Sequence, residues 1–113
     1  MFGLFKKPMA ISTLPFQVDI HSHLLPGLDD GVKSVEEAIY IIHKFKTLGY
    51  KKIITTPHVM QDQYPNTSEE IIIRASEVNT AIQKHGLDIE FEAAAEYHLD
   101  EQLVSKLAND EKL

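Results

Sequence analysis

The sequence predicts an α/β fold with parallel strands, in the order β-α-β-α-β-α. Three observations carry this. Short apolar, strand-like runs alternate with two stretches of helical periodicity. Each of those two stretches opens on a capping-box pattern and closes on a glycine. The residues suited to chemistry fall just after the strands, where parallel α/β folds place their sites.

Residues 1–15 read as an irregular lead-in ending at Pro15. Its hydrophobes Phe2, Leu4 and Phe5 precede Lys6 and Lys7, the wrong order for a secretory signal. A frayed or locally packed terminus is preferred to a membrane or partner contact. Residues 16–113 read as one domain.

Residues 16–21 form the first strand, and residues 22–33 a loop with Pro26, Gly27 and Gly31. Ser34-Val35-Glu36-Glu37 opens a helix whose apolar positions 35, 38, 39, 42, 45 and 48 share one face, and Gly49 ends it. The second strand is 52–56; Pro57 prevents its continuation as a central strand, and a polar loop runs to Asn66. Thr67-Ser68-Glu69-Glu70 opens the second helix, with Ile71, Ile72, Ala75, Val78, Asn79 and Ile82 directed to a core and Gly86 as its stop. Asp88 to Ala94 is the third strand, and Leu99 to Ala108 a last helix. Three strands cannot close a barrel, which needs about 250 residues. The expectation is the first half of a larger barrel, truncated or completed by another chain.

Bulk properties narrow the function. A net charge of -6 without a basic stripe argues against nucleic acid as a partner. The absence of cysteine excludes disulfides, thiolate zinc sites and thiol nucleophiles, and is compatible with the cytoplasm. No apolar run approaches the roughly 18–20 residues of a membrane-spanning helix.

Asp19-Ile20-His21-Ser22-His23 and Leu28-Asp29-Asp30-Gly31 place two imidazoles and three carboxylates within 13 residues. Strand alternation points Asp19, His21 and His23 the same way. Imidazole and carboxylate together suit a divalent transition metal, with manganese, iron and zinc all acceptable. His58 follows the second strand and Glu96 the third, so both join the same end. Asp19 is expected to orient a ligand histidine by accepting its second N–H. Asp29 reads as a turn or capping residue. Tyr64 is a candidate substrate contact, balanced by loop packing; His98, two residues past Glu96, is a second, behind a packing role. Asn66 reads as a loop stop before the Thr67 cap. His43 and His85 belong to helix packing and helix ends.

The ordered motifs Asp19-x-His21-x-His23, the string 19–31, Thr56-Pro57-His58, Tyr64-x-Asn66 and Ala95-Glu96 resemble the PHP (polymerase and histidinol phosphatase) superfamily. Within it they resemble the capsule-biosynthesis branch of bacterial metal-dependent protein-tyrosine phosphatases. The resemblance covers residues 16 to about 108. It implies a PHP-type (β/α) barrel related to the TIM barrel, here only its first three β/α units. It implies that His21 and His23 bind one metal, that Glu96 bridges two, and that Asp30 and His58 serve neighbouring positions. It further implies a cluster of up to three ions, manganese foremost, and cytoplasmic hydrolysis of phosphotyrosine by metal-activated water. The implied partner is the tyrosine-rich tail of a kinase controlling polysaccharide export. The later ligands, two histidines and an Asp-x-His pair, and a phosphate-binding arginine have no counterpart in this chain; Arg74 lies mid-helix. Two alternatives stand beside this reading: a phosphatase for a small metabolite such as histidinol phosphate, and a noncatalytic half-barrel that self-associates through its open sheet.

Overall fold

A computed structural model describes residues 17–111. Eight elements follow in order: β1 (Val18–Asp19), α1 (Val35–Thr47), β2 (Lys52–Thr55), β3 (His58–Val59), α2 (Ser68–Lys84), β4 (Glu90–Ala93), β5 (Glu96–Tyr97) and α3 (Glu101–Ala108). The expected lead-in of residues 1–15 lies outside the described residues.

The main sheet is parallel, in the order β1-β2-β4. Adjacent parallel strands require crossovers, and right-handed ones put both helices on one face. Consistent with this, α1 packs on α2, and α2 on β4. The core lies between helices and sheet, with Leu25, Ile42, Ile53 and Val78 fully buried. Each such side chain contributes about 1.5–3 kcal/mol of burial. The described strands form this three-stranded sheet and a two-stranded one, β3-β5, and not a closed barrel.

The helices begin where their caps predict. The Ser34 hydroxyl accepts the Glu37 amide, and the Thr67 hydroxyl accepts that of Glu70. Only the second cap is reciprocal: Glu70 returns to the Thr67 N–H, whereas Glu37 reaches one residue further back, to Lys33. Gly49 and Gly86 follow the helices at φ 97° and 67°, conformations costly for residues with a Cβ.

Three sequence expectations need correction. The first strand is shorter than 16–21; from Ile20 to Leu24 the chain is irregular. The loop after Pro57 is not wholly irregular: the ladder lost at the proline resumes as β3, paired in parallel with β5. Proline removes one donor, which interrupts a ladder without preventing its resumption a residue later. Finally, Ile72, expected in the core with Ile71, is exposed at 68%, so Ile71 alone of the two enters the core.

Candidate metal-binding site

Three short segments build the site at the carboxyl end of the sheet. The first is His21–Asp30. Beyond β1 the chain is held against β2 by threonine hydroxyls and one backbone hydrogen bond rather than by a regular ladder. The buried Thr55 hydroxyl accepts the Leu24 N–H at 2.9 Å and donates to the Ser22 carbonyl at 3.0 Å. The Thr56 N–H reaches that carbonyl at 2.6 Å. Thr56 Oγ1 lies 3.5 Å from His21 Nδ1.

The second segment is β3 and the third β5, in the register His58↔Glu96. Registered neighbours on parallel strands project to the same face, so this pairing places His58 beside Glu96. His58 Nδ1 lies 3.6 Å from Glu96 Oε1, and His58 Nε2 lies 3.5 Å from Asp30 Oδ1. His21 Nε2 and His23 Nε2 approach the same Glu96 oxygen at 3.6 and 3.2 Å. The rings of His23 and His58 stack at 4.5 Å, and His21 meets His23 edge-on at 5.2 Å. His21, His23, Asp30, His58 and Glu96, the five ligand candidates, therefore converge.

Glu96 Oε1 is buried and makes no hydrogen bond, although three imidazole nitrogens surround it. An ionised oxygen in that state is costly unless a cation or proton lies between it and its neighbours. His23 sharpens the point. Its Nδ1 lies 2.9 Å from Asp29 Oδ2, an acceptor when ionised, which places the ring proton on Nδ1. The Nε2 lone pair then faces Glu96 Oε1 at 3.2 Å, a repulsive arrangement that a divalent cation would relieve. The donors form two overlapping groups, His21-His23-Glu96 and His23-Asp29-Asp30-His58, each within 4.8 Å. Imidazole nitrogens with carboxylate oxygens, and no thiolate, fit manganese, iron or zinc.

Asp29 is more than a turn residue. Its side chain is fully buried and accepts from His23, from the Gly31 N–H and from the His58 N–H, all at 2.9 Å. Burial pushes its carboxyl up, but the His58 and Gly31 amides and the His23 ring outweigh this and hold it below the usual carboxylate value. The carboxylate that orients a candidate ligand histidine is thus Asp29, whereas Asp19 Oδ2 is buried without a hydrogen-bond partner. Gly31 is required for a steric reason: an added Cβ would overlap the His23 carbonyl oxygen and sit 2.5 Å from the His23 Cβ.

Tyr64 stacks on His58, with centroids 5.5 Å apart and planes at 16°. It adjoins the cluster through that ring. His98 lines a separate hollow with Met60, Gln61, Asp62, Gln63 and Asp100, and its N–H donates to the Val59 carbonyl. Asn66 does more than stop the loop: its amide donates to the Leu28 and His58 carbonyls, each at 2.8 Å. Sequence reasoning missed Asp29, Thr55 and Asn66 as supports. The adjacent Asp pair and the Thr-Thr-Pro strand end were visible signals, but their partners lie 29 to 38 residues away in sequence.

Parallel strands with a histidine–carboxylate cluster at their carboxyl ends define the class: an α/β protein with a candidate divalent-metal centre. Within that class the chain belongs to the CpsB/CapC family of capsular polysaccharide synthesis, whose profile it matches over residues 17–113. CapC of Staphylococcus aureus is 33% identical over 96 residues, covering 83% of this chain and 37% of CapC. Tyrosine-protein phosphatase CpsB of Streptococcus agalactiae is 35% identical over 75 residues, covering 66% of this chain and 29% of CpsB. The fold matches a chain from the crystal structures of YwqE (Bacillus subtilis) and CpsB (Streptococcus pneumoniae), described as unique metal-dependent tyrosine phosphatases. That match has a TM-score of 0.71 at 23% identity and covers 85% of this chain and 39% of that one. The chain thus spans about a third of the length of its relatives. Among the described residues no helix is long and apolar enough to cross a membrane.

Proposed function

We propose that His21, His23, Asp30, His58 and Glu96 bind divalent metal, manganese first, within a metal-dependent protein-tyrosine phosphatase. The observation that carries this reading is Glu96 Oε1, buried without a hydrogen bond among three imidazoles. The phosphatase names of family relatives supply the reaction class. Bound divalent ions would polarise a phosphoryl group and lower the pKa of a water, supplying a nucleophile without a Ser or Cys. The chain's own contribution is positional. Asp29 holds His23 with Nε2 toward the cluster, the Thr55 hydroxyl braces the segment carrying His21 and His23, and the β3–β5 register sets His58 against Glu96. Tyr64, stacked on His58, is suited to contact an aromatic phosphoester, and His98 is the weaker candidate.

On this reading the substrate is phosphotyrosine on a cytoplasmic kinase tail linked to capsule or exopolysaccharide control. The five residues supply one wall of a PHP-type (β/α) barrel mouth. Exposed Ile20, Ile72, Leu99, Val104 and Leu107 support self-association of the chain through its open sheet and α3. A monomer by light scattering at high concentration would remove that part.

The test of the site is metal content after loading with manganese. His21→Ala together with His23→Ala should strip the tightest ion; unchanged content would defeat the assignment. The test of the reaction is hydrolysis of a phosphotyrosine peptide by the manganese-loaded protein. Turnover of histidinol phosphate with no attack on the peptide would instead establish the small-metabolite alternative.

A further inference from the structure

We propose that Asn66 is the positioning residue for the Asp30–His58 half of the site, and leaves the His21–His23–Glu96 half alone. The proposal rests on the metal-binding reading above. Asn66 stands at the end of the loop that follows β3, directly before the Thr67 cap of α2. Both hydrogens of its amide are used, one on the Leu28 carbonyl and one on the His58 carbonyl, each at 2.8 Å. Leu28 lies two residues before Asp30, so a single side chain ties together the two backbones that carry Asp30 and His58.

The loop is braced for this role. Met60 and Tyr64 exchange backbone hydrogen bonds at 2.8 and 3.0 Å, and the Asn66 N–H donates to the Tyr64 carbonyl at 2.7 Å. These bonds fold the loop back so that Asn66 returns to the strand it left. The link adds to the one that Asp29 makes by accepting the His58 N–H: Asn66 holds the carbonyl side of His58 and reaches back to Leu28. Asp30 is exposed, and its carboxylate sits 3.5 Å from His58, outside good hydrogen-bond geometry. In the other half Thr55 fixes the backbone at Ser22 and Leu24, while Asp29 is shared, holding the His23 ring and the His58 N–H. Asn66 has no hydrogen bond to His21, His23 or Glu96.

Removing the amide should therefore separate the two halves. Groups that orient metal ligands typically contribute about 10–100-fold in affinity. The experiment titrates zinc into the full chain and follows the ring resonances of His21, His23 and His58 by NMR. In Asn66→Ala, and in the near-isosteric Asn66→Asp, the His58 midpoint should move to at least about tenfold higher zinc. The His21 midpoint should stay within about twofold, well below the effect of losing an orienting partner, because Asn66 bonds only the Leu28 and His58 carbonyls. Retained α2 amide shifts would show that each variant folds. Equal shifts of the His21 and His58 midpoints, or none in either, would overturn the proposal while leaving the metal reading intact. Failure of the unsubstituted chain to show any zinc-dependent ring shift would instead overturn the metal reading on which it rests.

Discussion

His23 is aimed by two neighbours on a single turn. Asp29 accepts a hydrogen bond from its Nδ1, and Gly31 leaves the space its backbone and Cβ occupy. Introducing a methyl group at position 31 forces that turn and His23 apart. Gly31→Ala is expected to destabilise the fold by about 1–3 kcal/mol, the usual range for an overpacked site. Chemical denaturation would measure the loss, and a weakened Val32 amide to His23 carbonyl bond, seen as faster hydrogen exchange, would locate it. The motif of histidines and carboxylates was legible at this scale because it lies in one short run. The division of labour between Asp29 and Asp30 was not. Two adjacent aspartates look alike in a sequence, and the contacts with His23, Gly31 and the distant His58 amide distinguish the one that turns inward.

At the scale of elements, the two strand ends behave differently from the strands themselves. Thr55 replaces a missing ladder with its hydroxyl. Thr55→Val keeps the shape, removes the acceptor and leaves the Leu24 N–H buried without a partner. Such a loss costs about 1–3 kcal/mol, and thermal unfolding of the variant should reveal it. The last helix depends on Asp100, whose carboxylate accepts the Gln61 and Leu103 amides. These two bonds, Gln61 first, hold its carboxyl below the ordinary value of 3.8. Because the folded value is the lower one, the contribution is complete above 3.8 and fades as pH falls through the depressed folded value. Acidification below that point should lower the hydrogen-exchange protection factors of Gln61 and Leu103 together, and Asp100→Ala should do so at neutral pH. Helix boundaries were legible because caps and glycines are local signals. The β3–β5 pair was not, because each strand is two residues long and is defined by its partner.

For the whole molecule, the fold is a scaffold that gathers like and unlike charges at one end of its sheet. A ligand that binds only the folded chain raises stability in proportion to the logarithm of its concentration over Kd. Divalent metal at 100 times its Kd should therefore add about 2.7 kcal/mol. For a domain near 100 residues this raises Tm by roughly 10–20 °C. The shift should appear in scanning calorimetry of the unsubstituted protein, vanish on chelation, and shrink after the double substitution His21→Ala and His23→Ala.

The sequence by itself determined the α/β class and the starts and stops of the first two helices, and it singled out five residues that the fold brings together. Each of these depends on neighbours within a turn, a strand or a short motif, or on a likeness of motif. The last helix starts at Glu101, after its Asp100 cap, rather than at Leu99. Tertiary structure alone decided which oxygen is left unpaired, which aspartate orients His23, and that Asn66 and Thr55 brace the site. Those outcomes depend on segments that lie far apart in sequence, from His58 and Asp29 to Glu96 and His21, where a contact depends on register and loop path. Exposure was decided there too. Ile71, Ile72 and Ile73 are identical in kind, and only the packing of α2 leaves the last two facing outward.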